Sequence, residues 1–135
     1  MTLIADASVG LKWVLTEDGT DRARDLLAAE TLAAPGLFWI ECANVLWVKA
    51  RRGQITAADA RAALAAIEAA PVSAIATRGL AQAAQAIALE LDQSAYDSLY
   101  LAAALAERAV LVTADAAFAQ AAMAHPVYGA SVRLL

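Results

Sequence analysis

Val110-Leu111-Val112-Thr113-Ala114-Asp115-Ala116-Ala117-Phe118 is a short apolar run that stops on an acid and passes straight into an alanine-rich segment. Val110 to Thr113 reads as a core strand, and Asp115 opens a helix running to Met123. The same succession opens the chain: Thr2 to Asp6 alternates and ends in an acid, and Ala7 to Leu15 carries Val9, Trp13 and Val14 at helical spacing. Between these two units the signals keep alternating. Arg22 to Glu30 reads as a short amphipathic helix after the Asp18-Gly19-Thr20 turn, and Thr31 to Ala34 as a brief strand stopped by Pro35-Gly36. Leu37 to Arg52 is a helix with apolar residues all round, which predicts burial over most of its length, and Thr56 to Ala70 pairs with it as a hairpin. Val72 to Ala76 is a strand, Arg78 to Leu91 and Tyr96 to Arg108 are helices, and Ser131 to Leu134 is the last strand. Strands recurring between helices predict an α/β fold in three layers, with a central parallel sheet flanked by helices on both faces.

A length of 135 residues suits one domain spanning 1–135. Although 61% of the residues are hydrophobic, charges interrupt every apolar stretch well before the roughly 18 residues that a membrane span needs. No membrane association is expected. The first residues lack the basic start and long apolar segment of a secretory signal, so the expected compartment is the cytoplasm. Cys42 is the only cysteine and His125 the only histidine, which excludes a disulfide framework and a Cys/His zinc site. Ten basic against fourteen acidic residues give a net charge of −4, the wrong sign for holding nucleic acid by counterion release alone. A nucleic-acid role has to be local, at a place where bound cations reverse the sign of the surface.

Most of the acids fall on helix starts or polar faces, where solvation explains them. Four do not. Glu41 lies in Phe38-Trp39-Ile40-Glu41-Cys42-Ala43-Asn44-Val45-Leu46-Trp47, where its helical neighbours Leu37, Phe38, Val45 and Val48 are apolar. Asp97 shares a helix face with Tyr100, Leu101 and Ala104. Asp6 and Asp115 each follow the carboxyl end of a strand, where ligands collect in open α/β sheets, although for either one taken alone a helix N-cap is the simpler explanation. At about 4 Å two like charges repel by roughly 4 kcal/mol at an effective dielectric near 20, so gathered carboxylates need a positive partner. The arginines and lysines cluster at helix ends and polar faces, away from Glu41 and Asp97. All-oxygen ligation without His or Cys suits Mg²⁺ or Mn²⁺ and argues against zinc or copper.

Four segments, Ile4 to Val9, Glu41 to Leu46, Tyr96 to Ala102 and Leu111 to Phe118, together resemble the four motifs of PIN domains, in order and along nearly the whole chain. The resemblance implies a sheet of about five parallel strands and an acidic pocket. It implies the VapC-type toxin half of a bacterial toxin-antitoxin pair, an endoribonuclease that uses Mg²⁺ or Mn²⁺ to activate water against RNA phosphodiesters. Asp6, Glu41, Asp97 and Asp115 match the acidic quartet as catalytic and metal-holding residues. Ser8, Asn44 and Thr113 match its recurrent polar neighbours, either as backbone or cap hydrogen-bonders or as groups that orient the carboxylates. Members often carry a further acid where this chain has Ala117, which puts a second ion in doubt. The implied partners are an RNA substrate, a second copy in a homodimer, and an antitoxin that covers the acidic groove.

Cys42 reads as packing and His125 as a loop residue. Lys12, Lys49, Arg51 and Arg52 are either RNA-phosphate contacts or solvated helix ends, and Trp13, Trp39 and Trp47 suit core or dimer packing. Two competing readings are a receiver-like or phosphatase-like Mg²⁺ phosphotransfer domain, which would need a lysine at the pocket, and a PIN scaffold without catalysis. A nucleotide-binding fold is poorly supported, since the sequence has no glycine-rich phosphate loop.

Overall fold

A computed structural model describes residues 2–135. Its five strands, β1 (Thr2–Ala5), β2 (Thr31–Pro35), β3 (Val72–Ile75), β4 (Val110–Thr113) and β5 (Val132–Leu134), form one parallel sheet in the order β3-β2-β1-β4-β5. In β1, Leu3, Ile4 and Ala5 are all fully buried, and Leu111, Val112 and Thr113 of β4 are nearly so. Side chains on both faces of these strands are covered, as expected where crossover helices sandwich a parallel sheet.

Seven helices connect and cover the strands: α1 (Ala7–Val14), α2 (Thr20–Ala29), α3 (Leu37–Arg51), α4 (Ala57–Ala69), α5 (Ala81–Leu91), α6 (Ala95–Ala106) and α7 (Ala116–Met123). Right-handed crossovers run one way from β1 to β2 to β3, and the opposite way from β3 to β4 to β5. They therefore place α1 to α4 on one face and α5 to α7 on the other. The packing agrees, with α1 against α2, α3 and α4, and α6 against β1, β2 and β4 with α5 alongside. Seven consecutive residues of α6, Ser98 to Ala104, are buried. Four of the seven are Leu101 and the small Ala102, Ala103 and Ala104, which let α6 lie close to the sheet and to α5 at once.

The chain reverses its direction of travel between β1 and β4. These strands are direct neighbours, with Ala5 opposite Val112, so the segments leaving their carboxyl ends diverge to opposite faces and leave a crevice between them. Asp6 and Asp115 leave those ends.

Element boundaries follow local chemistry. Thr56 and Asp59 make a reciprocal capping box at the start of α4, and Gly53, with φ +73°, lies just beyond the end of α3. Two expectations are corrected. The segment 78–91 begins as a 3₁₀ turn over Arg78–Leu80 before α5 proper. The helix α3 buries only the Phe38, Cys42 and Leu46 stripe, while Ile40 and Trp47 are 67% and 55% exposed. An apolar sequence all round a helix does not say which stripe finds a partner, and only one side of α3 meets the protein interior.

Gly10 marks the tightest helix contact, since a Cβ there would lie 2.6 Å from Cζ of the fully buried Phe38 ring. At an ordinary helical site Gly→Ala gains up to about 1 kcal/mol. At Gly10 the overlap dominates, and Gly10→Ala should destabilise by about 1–2 kcal/mol, read as a lower urea midpoint at unchanged slope. A higher midpoint would show that the Phe38 ring has room to move.

Candidate active site

Asp6 and Asp115 are both helix N-caps, and the polar residues around them tie the two strand ends together. Asp6 Oδ1 accepts from the Val9 amide at 3.2 Å and from the Ser8 hydroxyl, and Oδ2 accepts from the Thr113 hydroxyl. Ser8 Oγ also accepts from the Ala114 amide at 2.9 Å, Thr113 Oγ1 accepts from the Asp115 amide at 3.0 Å, and Asp115 Oδ1 accepts from the Phe118 amide at 3.1 Å. Ser8 and Thr113 thus join the β1–α1 corner to the β4–α7 corner across more than one hundred residues of chain. Oδ1 of Asp6 is filled by two donors while Oδ2, with one, keeps a lone pair, and no hydrogen bond engages the second oxygen of Asp115 among the described residues.

Asp97 enters from the other face. Ser94 caps α6 by accepting from the Asp97 amide at 3.1 Å, which sets Asp97 in the first turn, immediately before the buried run of that helix. Glu41 comes from the second turn of α3 and is partly buried, with its Oε1 shielded from solvent and without a hydrogen-bond partner. The Tyr100 hydroxyl, also buried and unpartnered, lies close enough to Glu41 to act on it but outside hydrogen-bonding geometry. Tyr100 is expected from the sequence only as a helix-face neighbour of Asp97, and Ser94 falls in the short gap between the two expected helices. The Ser94-x-x-Asp97 spacing was the available signal for the cap.

The electrostatics link all four acids. Burial pushes Asp6 up to about 6, against the pull of Ser8, Thr113 and the Val9 amide, with a smaller upward contribution from Asp97. Burial, then the charges of Asp97 and Asp6, push Glu41 up to about 7, with the Tyr100 hydroxyl opposing. Asp97 is raised by burial and by Asp115, with Ser94 opposing. The carboxylates feel one another without converging into a ready-made cage: among the described residues no three His, Cys, Asp or Glu side chains stand close enough together to hold a metal ion. A hard divalent cation nevertheless fits the chemistry of the set. The donors are all oxygen, the acids disfavour each other's ionisation, and Glu41 Oε1 is a buried acceptor with nothing to accept from.

The sequence pattern of the PIN domain matches residues 3–123 of this chain. The chain belongs to the PIN-domain family. Ribonuclease VapC9 of Mycobacterium tuberculosis is 40% identical to it over 113 residues, covering 84% of this chain and 85% of that relative. Among solved structures, PAE2754 from Pyrobaculum aerophilum superposes with a TM-score of 0.72 at 24% identity, over 90% of this chain and 79% of its own. A toxin-antitoxin complex from Klebsiella pneumoniae gives 0.61 at 18% identity, over 84% and 86%. The two structures share the fold of this PIN domain.

Asn44, Lys12, His125 and Cys42 make no hydrogen bond to the four acids of this PIN domain among the described residues. Asn44 is exposed one turn along from Glu41, in a groove with Leu37, Ile40, Val45 and Tyr96, and donates to no carboxylate among the described residues. Lys12, expected either at RNA or at a solvated helix end, is instead held locally by Glu17 at 3.2 Å and by the Asp18 carbonyl at 2.6 Å. His125 accepts from the amides of Val127 and Tyr128 through Nδ1, so its proton sits on Nε2, 3.0 Å from Glu90. That is a loop brace. Burial pushes the Cys42 thiol up to about 12, which keeps it protonated as a packing group.

The raised acids set a pH dependence. Asp6 and Glu41 bind protons more tightly folded than unfolded, where ordinary values near 3.8 and 4.5 apply. The cation-free protein should therefore lose stability as pH rises from about 4 to about 7 and level off above. Glu41→Gln should remove the upper part of that fall. Urea midpoints in chelator across this interval check both, and a wild-type midpoint that rises with pH would contradict the assignment.

Proposed function

We propose that this PIN domain is a metal-dependent endoribonuclease, the toxin of a bacterial toxin-antitoxin pair, in which Asp6, Glu41, Asp97 and Asp115 hold Mg²⁺ or Mn²⁺. The observation that carries this reading is the unpartnered, buried Glu41 Oε1 beside carboxylates that raise each other's proton affinity. The ribonuclease name of the 40% identical relative supports the substrate class. Bound at the crevice, a divalent cation would supply positive charge for phosphate oxygens and a more acidic water.

The chain's own residues do the rest. Ser8, Thr113 and the Val9 amide fix both oxygens of Asp6, so that carboxylate is aimed before any ion arrives. Asp97 is set on the opposite wall by the Ser94 cap, and Glu41 reaches in from α3. Without neutralisation the acids of the pocket would repel an RNA phosphate, so the residues that hold the ion would also decide whether substrate can approach. Cys42 is buried and protonated and His125 braces a loop, so neither is placed as a nucleophile or base. Water attacking phosphorus in line with the P–O3′ bond would break that bond, leaving a 5′-phosphate on one product and, once O3′ takes up a proton, a 3′-hydroxyl on the other. Ala117 stands exposed in the first turn of α7 and offers no ligand for a second ion. A phosphotransfer domain would need a free lysine at the pocket, and Lys12 is committed to Glu17 and Asp18. The proposal includes one domain over 1–135 acting in the cytoplasm as a homodimer, with an antitoxin presenting arginine to the acids. Among the described residues no helix is long and apolar enough to cross a membrane.

Two outcomes test this. Asp97→Asn removes charge without volume and should abolish cleavage of RNA, at least a hundredfold, while circular dichroism stays native; unchanged cleavage would remove Asp97 from the site. Mn²⁺ at about 100 times its Kd should stabilise the fold by about 2.7 kcal/mol, visible as a raised melting temperature that chelator reverses. A melting curve indifferent to Mn²⁺ and to chelator would leave a scaffold without catalysis as the better account.

A further inference from the structure

The helix α3 is electrically two-ended. Glu41 faces the acidic crevice from its second turn, and the last turns carry Lys49, Arg51 and Arg52. Arg61, on the neighbouring α4, lines the same shallow interhelical groove as Trp47. None of these four cations has a carboxylate within ion-pairing distance among the described residues, whereas Lys12 does. Cations at a helix C-terminus are accounted for in part by the carbonyl dipole. The dipole does not account for Arg61, which belongs to another helix. Nor does it account for Trp47, a large aromatic left 55% exposed with the Arg51 guanidinium 5.4 Å from its ring centre.

In a chain of net charge −4, four of ten basic residues gather at one tip, unpaired and next to an aromatic face. Cations beside a stacking surface match single-stranded nucleic acid, which offers a phosphate and a π-face at every nucleotide. From Glu41 to Arg51 the helix rises about 15 Å, so a strand with one phosphate at the acids spans a few nucleotides to the tip.

We infer that the tip formed by Lys49, Arg51, Arg52, Arg61 and Trp47 is a second contact for the RNA strand, gripping phosphates and stacking a base on Trp47 or on the Arg51 guanidinium, away from the point of cleavage. This rests on the ribonuclease reading and extends its substrate contact beyond the acids. The acids and their ion bind the scissile phosphate; the tip binds the flanking strand and supplies affinity that the overall negative charge denies.

The test uses the full wild-type chain and a labelled, cleavage-resistant phosphorothioate single-stranded RNA, followed by anisotropy across a salt series with Mn²⁺ present. Adding Arg51→Gln and Arg52→Gln should weaken binding about tenfold or more at low salt and flatten the log–log salt slope by about 1.4, two phosphate contacts' worth. Adding Trp47→Ala instead should weaken binding about fivefold or more with the slope unchanged. A control losing the same two charges elsewhere, Arg108→Gln with Arg133→Gln, should bind as the parent does. Each variant's Mn²⁺-induced melting shift reports that fold and crevice are intact. Parent-like affinity and slope in the Arg51/Arg52 variant would overturn the inference and point to an acidic protein partner at the tip. Equal weakening in the control would overturn it in favour of a general charge effect. A parent chain that binds no RNA at all would defeat the ribonuclease reading itself.

Discussion

Carboxylates drawn from both faces of a sheet repel one another, and the fold holds them in range because their positions are consequences of topology. Asp6 and Asp115 leave adjacent parallel strands at the point where the chain's direction of travel reverses. Asp97 arrives on the most buried helix of one face and Glu41 on a helix of the other. Moving any of them apart would mean moving a strand or a packed helix, so burial, with a smaller part from mutual repulsion, appears as raised proton affinity. That frustration is local, and a proton or a divalent cation would relieve it.

Ser8 and Thr113 give the crevice its rigidity. Each accepts a backbone amide from the β4–α7 corner and donates to Asp6, so the two corners form one hydrogen-bonded unit. The N-cap role of Asp6 and the proposed ligand role need not compete, because the cap uses Oδ1 while Oδ2 accepts only from Thr113 and keeps a lone pair. The choice between cap and ligand posed by the sequence is therefore not a choice for the molecule. Glu41 differs: nothing holds its inner oxygen, and the Tyr100 hydroxyl that acts on it is itself unpartnered. A preset Asp6 and an uncommitted Glu41 suit a site in which one ligand receives the ion and another closes on it.

The surface of α3 joins this site to the rest of the molecule's chemistry. Its inner stripe anchors the helix through Phe38, Cys42 and Leu46, and its outer stripe leaves Ile40 and Trp47 in solvent. Ile40 shares a groove with Glu41 and Tyr96, so apolar surface begins at the edge of the acidic crevice and continues toward the basic tip. Acids, apolar stripe and cations in sequence along one helix present a macromolecule with a polarity that a small substrate would not need.

The strand–acid–helix units at Asp6 and Asp115, the parallel α/β class and the inward acids Glu41 and Asp97 were legible in the residues alone, because each is a local departure from solvated patterning: an acid at an apolar strand's end, or an acid inside an apolar helix face. Tyr100 was not legible as a polar group beside Glu41, since in an apolar turn a tyrosine reads as packing and its hydroxyl's surroundings come from another helix. Nor was the exposure of Trp47, or the capture of Lys12 by Glu17 and the Asp18 carbonyl. Periodicity and capping act over a few residues and so can be read along the chain. Which stripe of α3 is covered, which cations remain unpaired, and how far the acids raise one another depend on elements meeting across more than a hundred residues, and only the packed sheet brings those together.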